Sequence, residues 1–98
     1  MSNVTKGPRF NNEESRSLLD CLIIWINKEV TEMYFEAREL CDKEDAGDEK
    51  LRISMRTAVF YELYEYHIRP RERTISPSLN AMVFEIEDKL MYIAQLLA

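Results

Sequence analysis

The chain has 98 residues, with 13 Lys and Arg, 18 Asp and Glu and one His, and therefore a formal net charge of −5. A composition of 46% hydrophobic and 32% charged residues is typical of one globular or coiled domain rather than of a disordered chain. The sequence has only two glycines and three prolines, which disfavours an all-β fold with many turns. The acidic balance disfavours general nucleic-acid binding, because that function needs an excess of Lys and Arg to neutralise phosphates.

The sequence favours a cytoplasmic protein. We expect no secretory signal, because residues 1–10 contain no apolar segment. The longest apolar run, at residues 21–26, is far shorter than the roughly 20 residues that a membrane-spanning helix needs. Cys21 and Cys41 fall on one predicted helix about 30 Å apart, so no bond can join them and two free thiols are expected.

The first predicted helix runs from about residue 12 to residue 42, after a flexible tail at residues 1–10. An Asx pair followed by two acids is typical of a helix start; the four residues are Asn11, Asn12, Glu13 and Glu14. Apolar residues then recur at helical spacing, in the series Leu19, Leu22, Ile26, Val30, Met33, Ala37 and Leu40. This pattern predicts a long helix with one buried face.

A second helix is predicted at about 48–68, after a charged turn at residues 42–49. One of its faces carries Leu51, Met55, Val59, Leu63 and Tyr66, and a second carries Phe60, Tyr64 and His67. Pro70 ends this helix because proline lacks an N–H donor, which leaves a basic loop at residues 69–76.

The third predicted helix covers about residues 77–97. Ser76 and Pro77 are typical of a helix cap followed by a proline at the first helical position. A regular apolar seam follows, formed by Leu79, Val83, Ile86, Leu90, Ile93 and Leu97. Short connections make consecutive helices antiparallel neighbours, so residues 11–98 are predicted to form a single all-α domain, a three-helix antiparallel bundle.

The long first helix predicts a homo-oligomer. At about 46 Å against about 32 Å, it outreaches its two companions by about 14 Å. Residues 22–26 make this helix apolar around its whole circumference, so we expect a second subunit to cover it. The candidate interface residues are Leu22, Ile24, Trp25, Tyr34 and Phe60. The alternative is a well-covered monomeric core, with Trp25 and Phe60 as ordinary core residues.

The predicted packing brings the start of the first helix, the end of the second and the start of the third to one end of the molecule. Five basic residues would gather at this basic pole: Lys6, Arg9, Arg69, Arg71 and Arg73. Guanidinium groups beside free helix N–H groups favour an anion such as phosphate, with Tyr64, Tyr66 and His67 one turn away to contact a base. The alternative is a solvated loop whose arginines pair with nearby glutamates.

The sequence contains few residue patterns that are typical of a catalytic site. One His, and no Cys pair at ligand spacing, predict no metal site, and no Gly-rich loop is present to bind phosphate. Acids three residues apart could hold Mg²⁺; the pairs are Glu29/Glu32, Glu36/Glu39, Glu62/Glu65 and Glu85/Asp88. These pairs loosely resemble those of the all-α nucleotide pyrophosphohydrolases, which use acids on two neighbouring helices. In that family the helices are close in sequence, whereas Glu32 and Glu85 are far apart in this chain.

The sequence therefore favours a small binding protein over an enzyme, with no bound cofactor. The first hypothesis is a cytoplasmic homo-oligomer that acts by binding a protein partner, as adaptors, inhibitors or phage-type accessory proteins do. The alternative is an oligomer that captures a small anionic ligand, such as a nucleotide, at the basic pole. The third is the Mg²⁺-dependent pyrophosphohydrolase that the acid pairs resemble.

Overall fold

Three α-helices make up most of the described chain. The structure, a computed structural model, describes the backbone of residues 12–98 and the side chains of residues 18–98. Within that part the regular structure is helical throughout and contains no strand. The α-helices are α1 (Asn12–Leu40), α2 (Gly47–Leu63) and α3 (Pro77–Leu96). The predicted all-α class is confirmed, while the predicted tail and the side chains of the Asx pair and the two acids lie outside the described residues.

A π-helical turn and a 3₁₀ segment join α2 to α3. The π turn Tyr64–Ile68 continues α2 directly, and the 3₁₀ segment Arg69–Thr74 follows it with a kink at Arg71 (φ −111°, ψ 19°). The prediction that the second helix ends before Pro70 is confirmed. The expected loop at 69–76 was wrong over most of its length, because a proline that cannot continue an α-helix is well suited to the first turn of a new helical segment.

The buried face of α1 follows the predicted series with one exception. Six of the seven residues are buried, with exposures of 7% or less: Leu19, Ile26, Val30, Met33, Ala37 and Leu40. In place of Leu22, which is half-buried, the core contains Ile23, which is fully buried. On α3 the prediction also holds, since Val83, Ile86, Leu90 and Ile93 are buried and Leu79 and Leu97 pack against the core.

The buried face of α2 is not the face with the longest apolar series. Leu51, Met55 and Val59 are each more than half exposed. The core instead receives the opposite side of the helix and its continuation, namely Ile53, Thr57, Phe60, Tyr64 and Ile68. Both sides of this helix carry apolar residues at helical spacing, and the side with two large aromatic rings buries more apolar area. We call Leu51, Met55 and Val59 the outer stripe of α2.

Contacts between α1 and α2 show that these two helices run antiparallel. Arg56 Nη2 lies 3.2 Å from Glu29 Oε1, and Arg56 Nη1 lies 3.6 Å from Glu36 Oε1. Nearer the start of α1, the Trp25 ring centroid lies 5.3 Å from that of Phe60. Residue numbers therefore rise along α1 as they fall along α2.

Contacts between α1 and α3 show that these two helices run parallel, and this pair packs most extensively. Ser76 Oγ donates to Asp20 Oδ2 (3.3 Å), and Lys89 Nζ donates to Thr31 Oγ1 (2.8 Å). Pro77 is the first residue of α3 and is preceded by Ser76 at the N-cap position, both as predicted, although the Ser76 side chain makes no capping hydrogen bond. Its hydroxyl contacts the Asp20 carboxylate and makes no bond to an N–H group of α3.

The turn between α1 and α2 occupies residues 41–46. The Lys43 N–H donates to the carbonyl of Leu40 (3.0 Å), which closes the end of α1 two residues before the predicted boundary. Ala46, just before α2, is buried at 3% exposure, so this charged turn is fixed to the core by its one small apolar side chain. The predicted turn is confirmed, with α2 beginning at Gly47.

The described part is elongated and measures 58 × 24 × 18 Å. With 29 residues, α1 is about 43 Å long, and α3, with 20 residues, is about 30 Å long. The predicted mismatch in length between these helices is therefore present. Cys21 and Cys41 are both free, and α1 keeps them about 30 Å apart.

Candidate interface and basic pole

Large apolar side chains remain exposed on all three α-helices. Among residues 18–98, twelve have exposures between 46% and 71%: Leu18, Ile24, Trp25, Phe35, Leu51, Met55, Val59, Tyr61, Tyr66, Phe84, Met91 and Tyr92. Single exposed apolar residues are ordinary on soluble proteins, whereas groups of them mark surfaces that another molecule covers. The arrangement of these side chains therefore decides where a partner would bind.

Trp25 and Phe60 are in contact, but only Trp25 is accessible to a partner. The Trp25 side chain is 47% exposed, and its ring packs at an angle of 50° on that of Phe60. Phe60 is only 7% exposed and belongs to the core of the chain. For Phe60 the structure therefore corresponds to the core-packing alternative, and we leave this residue out of the interface proposed below.

The four predicted interface residues of α1 lie on different sides of that helix, and the fifth, Phe60, belongs to α2. Tyr34 is half-buried on the side of α3, where its ring meets that of Tyr92 edge-on at 5.4 Å. Trp25 lies on the side of α2. Ile24, 52% exposed, is 100° around the helix from Trp25. The five residues therefore do not form one continuous surface.

A shallow depression lies between the start of α1 and the segment that follows α2. Its lining residues are Leu18, Leu19, Leu22, His67 and Arg71. Leu18 is 58% exposed at this depression and was not among the predicted interface residues. Its position could have been predicted from the sequence, because it lies seven residues before Trp25 and that spacing places two residues on one helix face. The outer stripe of α2 was also not predicted to be exposed, because its apolar residues recur at the spacing of a buried helix face.

The basic pole is present in part, and its arginines are divided between two places. Arg69 is engaged by Glu65, with Nη1 2.7 Å from Oε2, and lines a second depression with Pro70, Glu72 and Arg73. Arg71 Nη1 instead donates to the carbonyl of His67 (3.1 Å), at the first depression. Lys6 and Arg9 lie outside the described residues.

The two tyrosines predicted to contact a base differ in accessibility. Tyr64 is buried, with 4% of its surface exposed, so the prediction that it stacks on a ligand was wrong. The π turn directs its ring into the core in register with Phe60. Tyr66, two residues later, is 71% exposed.

Burial raises the pKa of the Tyr64 phenol above its ordinary value, and the nearby Glu87 carboxylate raises it further. The folded chain therefore keeps this proton at pH values at which the unfolded chain, with a tyrosine pKa near 10, has lost it. The contribution to stability is complete below about pH 10 and declines as the pH rises through the folded pKa. We predict that Tyr64→Phe reduces the loss of unfolding free energy between about pH 9 and 11. Urea denaturation at each pH measures this, and equal slopes in the two proteins would contradict it.

The acid pairs are not gathered into a larger cluster of metal-ligating side chains in the described part of the chain. No group of three or more His, Cys, Asp or Glu side chains lies close enough there to hold an ion. Glu29 and Glu36 instead share the guanidinium of Arg56, and Glu65 binds Arg69. Three acids of these pairs, Glu29, Glu36 and Glu65, therefore form ion pairs with arginine.

No helix in the described range is long and apolar enough to span a membrane. Comparisons with protein-family models, with curated proteins and with solved structures find no match for this chain.

Proposed function

We propose that this protein acts by binding other proteins, and that a second copy of the chain covers α1 and completes a bundle formed by its three helices. The observation that carries the proposal is the exposure of Trp25, the only tryptophan of the chain. Large aromatic rings dominate the energetics of protein interfaces, where they are buried at the centre.

Covering Trp25 would contribute substantially to assembly. A buried aromatic side chain removes 150–250 Å² from water, and about half of the Trp25 surface remains to be covered. At about 25 cal/mol per Å², this corresponds to roughly 2–3 kcal/mol for each tryptophan. Leu18 lies about 10 Å along the same side of α1 and extends the apolar surface.

The outer stripe of α2 and the acidic turn at residues 42–49 lie away from the start of α1. In this proposal they remain available to a protein partner when two copies pair through α1. This arrangement matches an adaptor, an inhibitor or an accessory protein, whose function is binding rather than catalysis.

The fluorescence of Trp25 tests the assembly, because no other tryptophan contributes. We expect its emission maximum to move to longer wavelength as the protein is diluted from high micromolar to nanomolar concentration, since dissociation exposes the indole to water. The helical circular dichroism signal should stay constant across the same range. A spectrum that is independent of concentration would contradict the proposed homo-oligomer.

Capture of a small anion at the basic pole is a second candidate. It is supported by one observation, that His67 and Arg71 line the first depression with no carboxylate among the lining residues. A ligand that binds only the folded chain raises its melting temperature, and we expect a rise of about 5 °C with millimolar ATP. His67→Ala combined with Arg71→Glu should remove this rise, whereas Arg52→Glu, a change at an exposed arginine of α2, should preserve it. The absence of a shift with ATP, GTP or inorganic pyrophosphate would exclude this candidate.

A further inference from the structure

We infer that the second copy packs antiparallel along α1, with the two-fold axis at Trp25 and the Glu32 of each copy beside Arg71 of the other. The inference rests on the proposed homo-oligomer and adds the surface, direction and register of its interface. Three features carry it: the spacing of exposed residues on α1, the charges at the two ends of that row, and the symmetry of a pair.

Leu18, Trp25 and Glu32 form a nearly straight row on the surface of α1. They are seven residues apart, so consecutive members differ by only about 20° around the helix and about 10 Å along it. Leu18 is 58% exposed and Trp25 47% exposed, and Glu32 is exposed as well. The row lies on the side of α2, because Leu18 lines the depression with His67 and Trp25 contacts Phe60.

The two ends of the row carry opposite charges that have no ion pair among the described residues. At the Leu18 end, Arg71 donates to a backbone carbonyl but to no carboxylate. At the other end, Glu29 and Glu36 share Arg56, whereas Glu32 between them has no cationic partner among residues 18–98. One end of the row therefore offers a guanidinium, and the other offers a carboxylate.

Symmetry determines how two such rows can meet. An isologous pair places the same surface of each copy in contact. If the rows run antiparallel and cross at Trp25, Glu32 of each copy lies opposite Leu18 of the other, beside Arg71. Both charges then find a partner twice in the dimer, while the two indoles cover each other at the centre. A parallel pair would instead place Glu32 against Glu32 and Arg71 against Arg71, which like charges disfavour.

A charge exchange tests this register. The variants are Glu32→Arg, Arg71→Glu and the two changes together, with dissociation constants measured by sedimentation at low salt. We expect each single change to raise the dissociation constant at least about tenfold, because a pair of opposite charges becomes a pair of like charges at two places. The double variant restores opposite charges and should return to within about threefold of the original protein. Asp88→Arg on α3 and Arg73→Glu, which change exposed charges outside the row, serve as matched controls and should have smaller effects.

The outcomes separate this inference from the proposed function. An original protein that remains a single chain at every concentration overturns the proposed homo-oligomer and the inference with it. An original protein that assembles, but whose dissociation constant is insensitive to the single changes or is not restored by the double change, keeps the homo-oligomer and overturns the antiparallel register. Circular dichroism and melting temperature of each variant show whether the chain itself remains folded, and rescue by the double variant is a result that misfolding would not produce.

Discussion

We expect the replacement of Trp25 with Asp to yield folded single chains in place of the proposed assembly. The change removes the apolar ring that a second copy would cover and places two carboxylates close together at the proposed two-fold axis. The loss of apolar cover corresponds to roughly 2–3 kcal/mol for each chain, and the buried charges add a further penalty. Within the chain, the contact with Phe60 and the covered half of the Trp25 surface are lost, so we expect the folded protomer to survive with stability reduced by about 2–3 kcal/mol.

Light scattering coupled to size separation measures this outcome. The Trp25→Asp variant should elute with the 11.6 kDa mass of one chain and an unchanged helical signal. Phe84→Asp is the matched control, because Phe84 is a large aromatic residue on α3 with 63% exposure, away from the proposed row. An assembly that survives Trp25→Asp, or one that Phe84→Asp dissolves, would contradict the assigned surface.

We expect Ile23→Ala to destabilise the chain strongly and Ile24→Ala to change its stability little. Ile23 is fully buried, and truncating a buried isoleucine to alanine costs about 3 kcal/mol through lost burial and the cavity left behind. Ile24 is 52% exposed, and its truncation should cost less than about 1 kcal/mol. The two residues are adjacent on one helix and chemically identical, so the comparison isolates burial.

Thermal unfolding of both variants, made in the Trp25→Asp background to remove any contribution from assembly, measures the difference. We expect the melting temperature to fall by about 15 °C for Ile23→Ala and by only a few degrees for Ile24→Ala. An equal fall in melting temperature for the two variants would contradict the burial of Ile23. It would show that α1 is rotated about its axis, with the apolar series predicted from the sequence facing the core.

The buried faces of α1 and α3 could be predicted because each helix has one dominant apolar seam. At residues 22–26, however, α1 is apolar all round, and the pattern could not choose between Leu22 and Ile23. On α2 two faces compete, and only packing against α1 and α3 decides between them. The core accepts Phe60 and Tyr64 and leaves Met55 exposed. Periodicity reports that a face is apolar, but which of two apolar faces is buried depends on neighbours that the sequence does not place.

The candidate site was predictable to the same limited degree. Trp25 is exposed, which is compatible with its position off the main seam. Phe60 is buried, in agreement with the core-packing alternative, and Tyr64 is buried although it was predicted to contact a ligand. The division of the basic pole arises from the π turn and the 3₁₀ segment before and after Pro70. These change the angle between successive residues, so Arg69 and Arg71 point to different depressions. A simple helical period cannot anticipate that change.

The mass of the unmodified protein in solution tests the central claim most directly. Sedimentation equilibrium at several concentrations should give a species of at least twice the 11.6 kDa chain that dissociates on dilution. A single species of one chain mass at every concentration, up to the millimolar range, would contradict the proposal that a second copy covers Trp25.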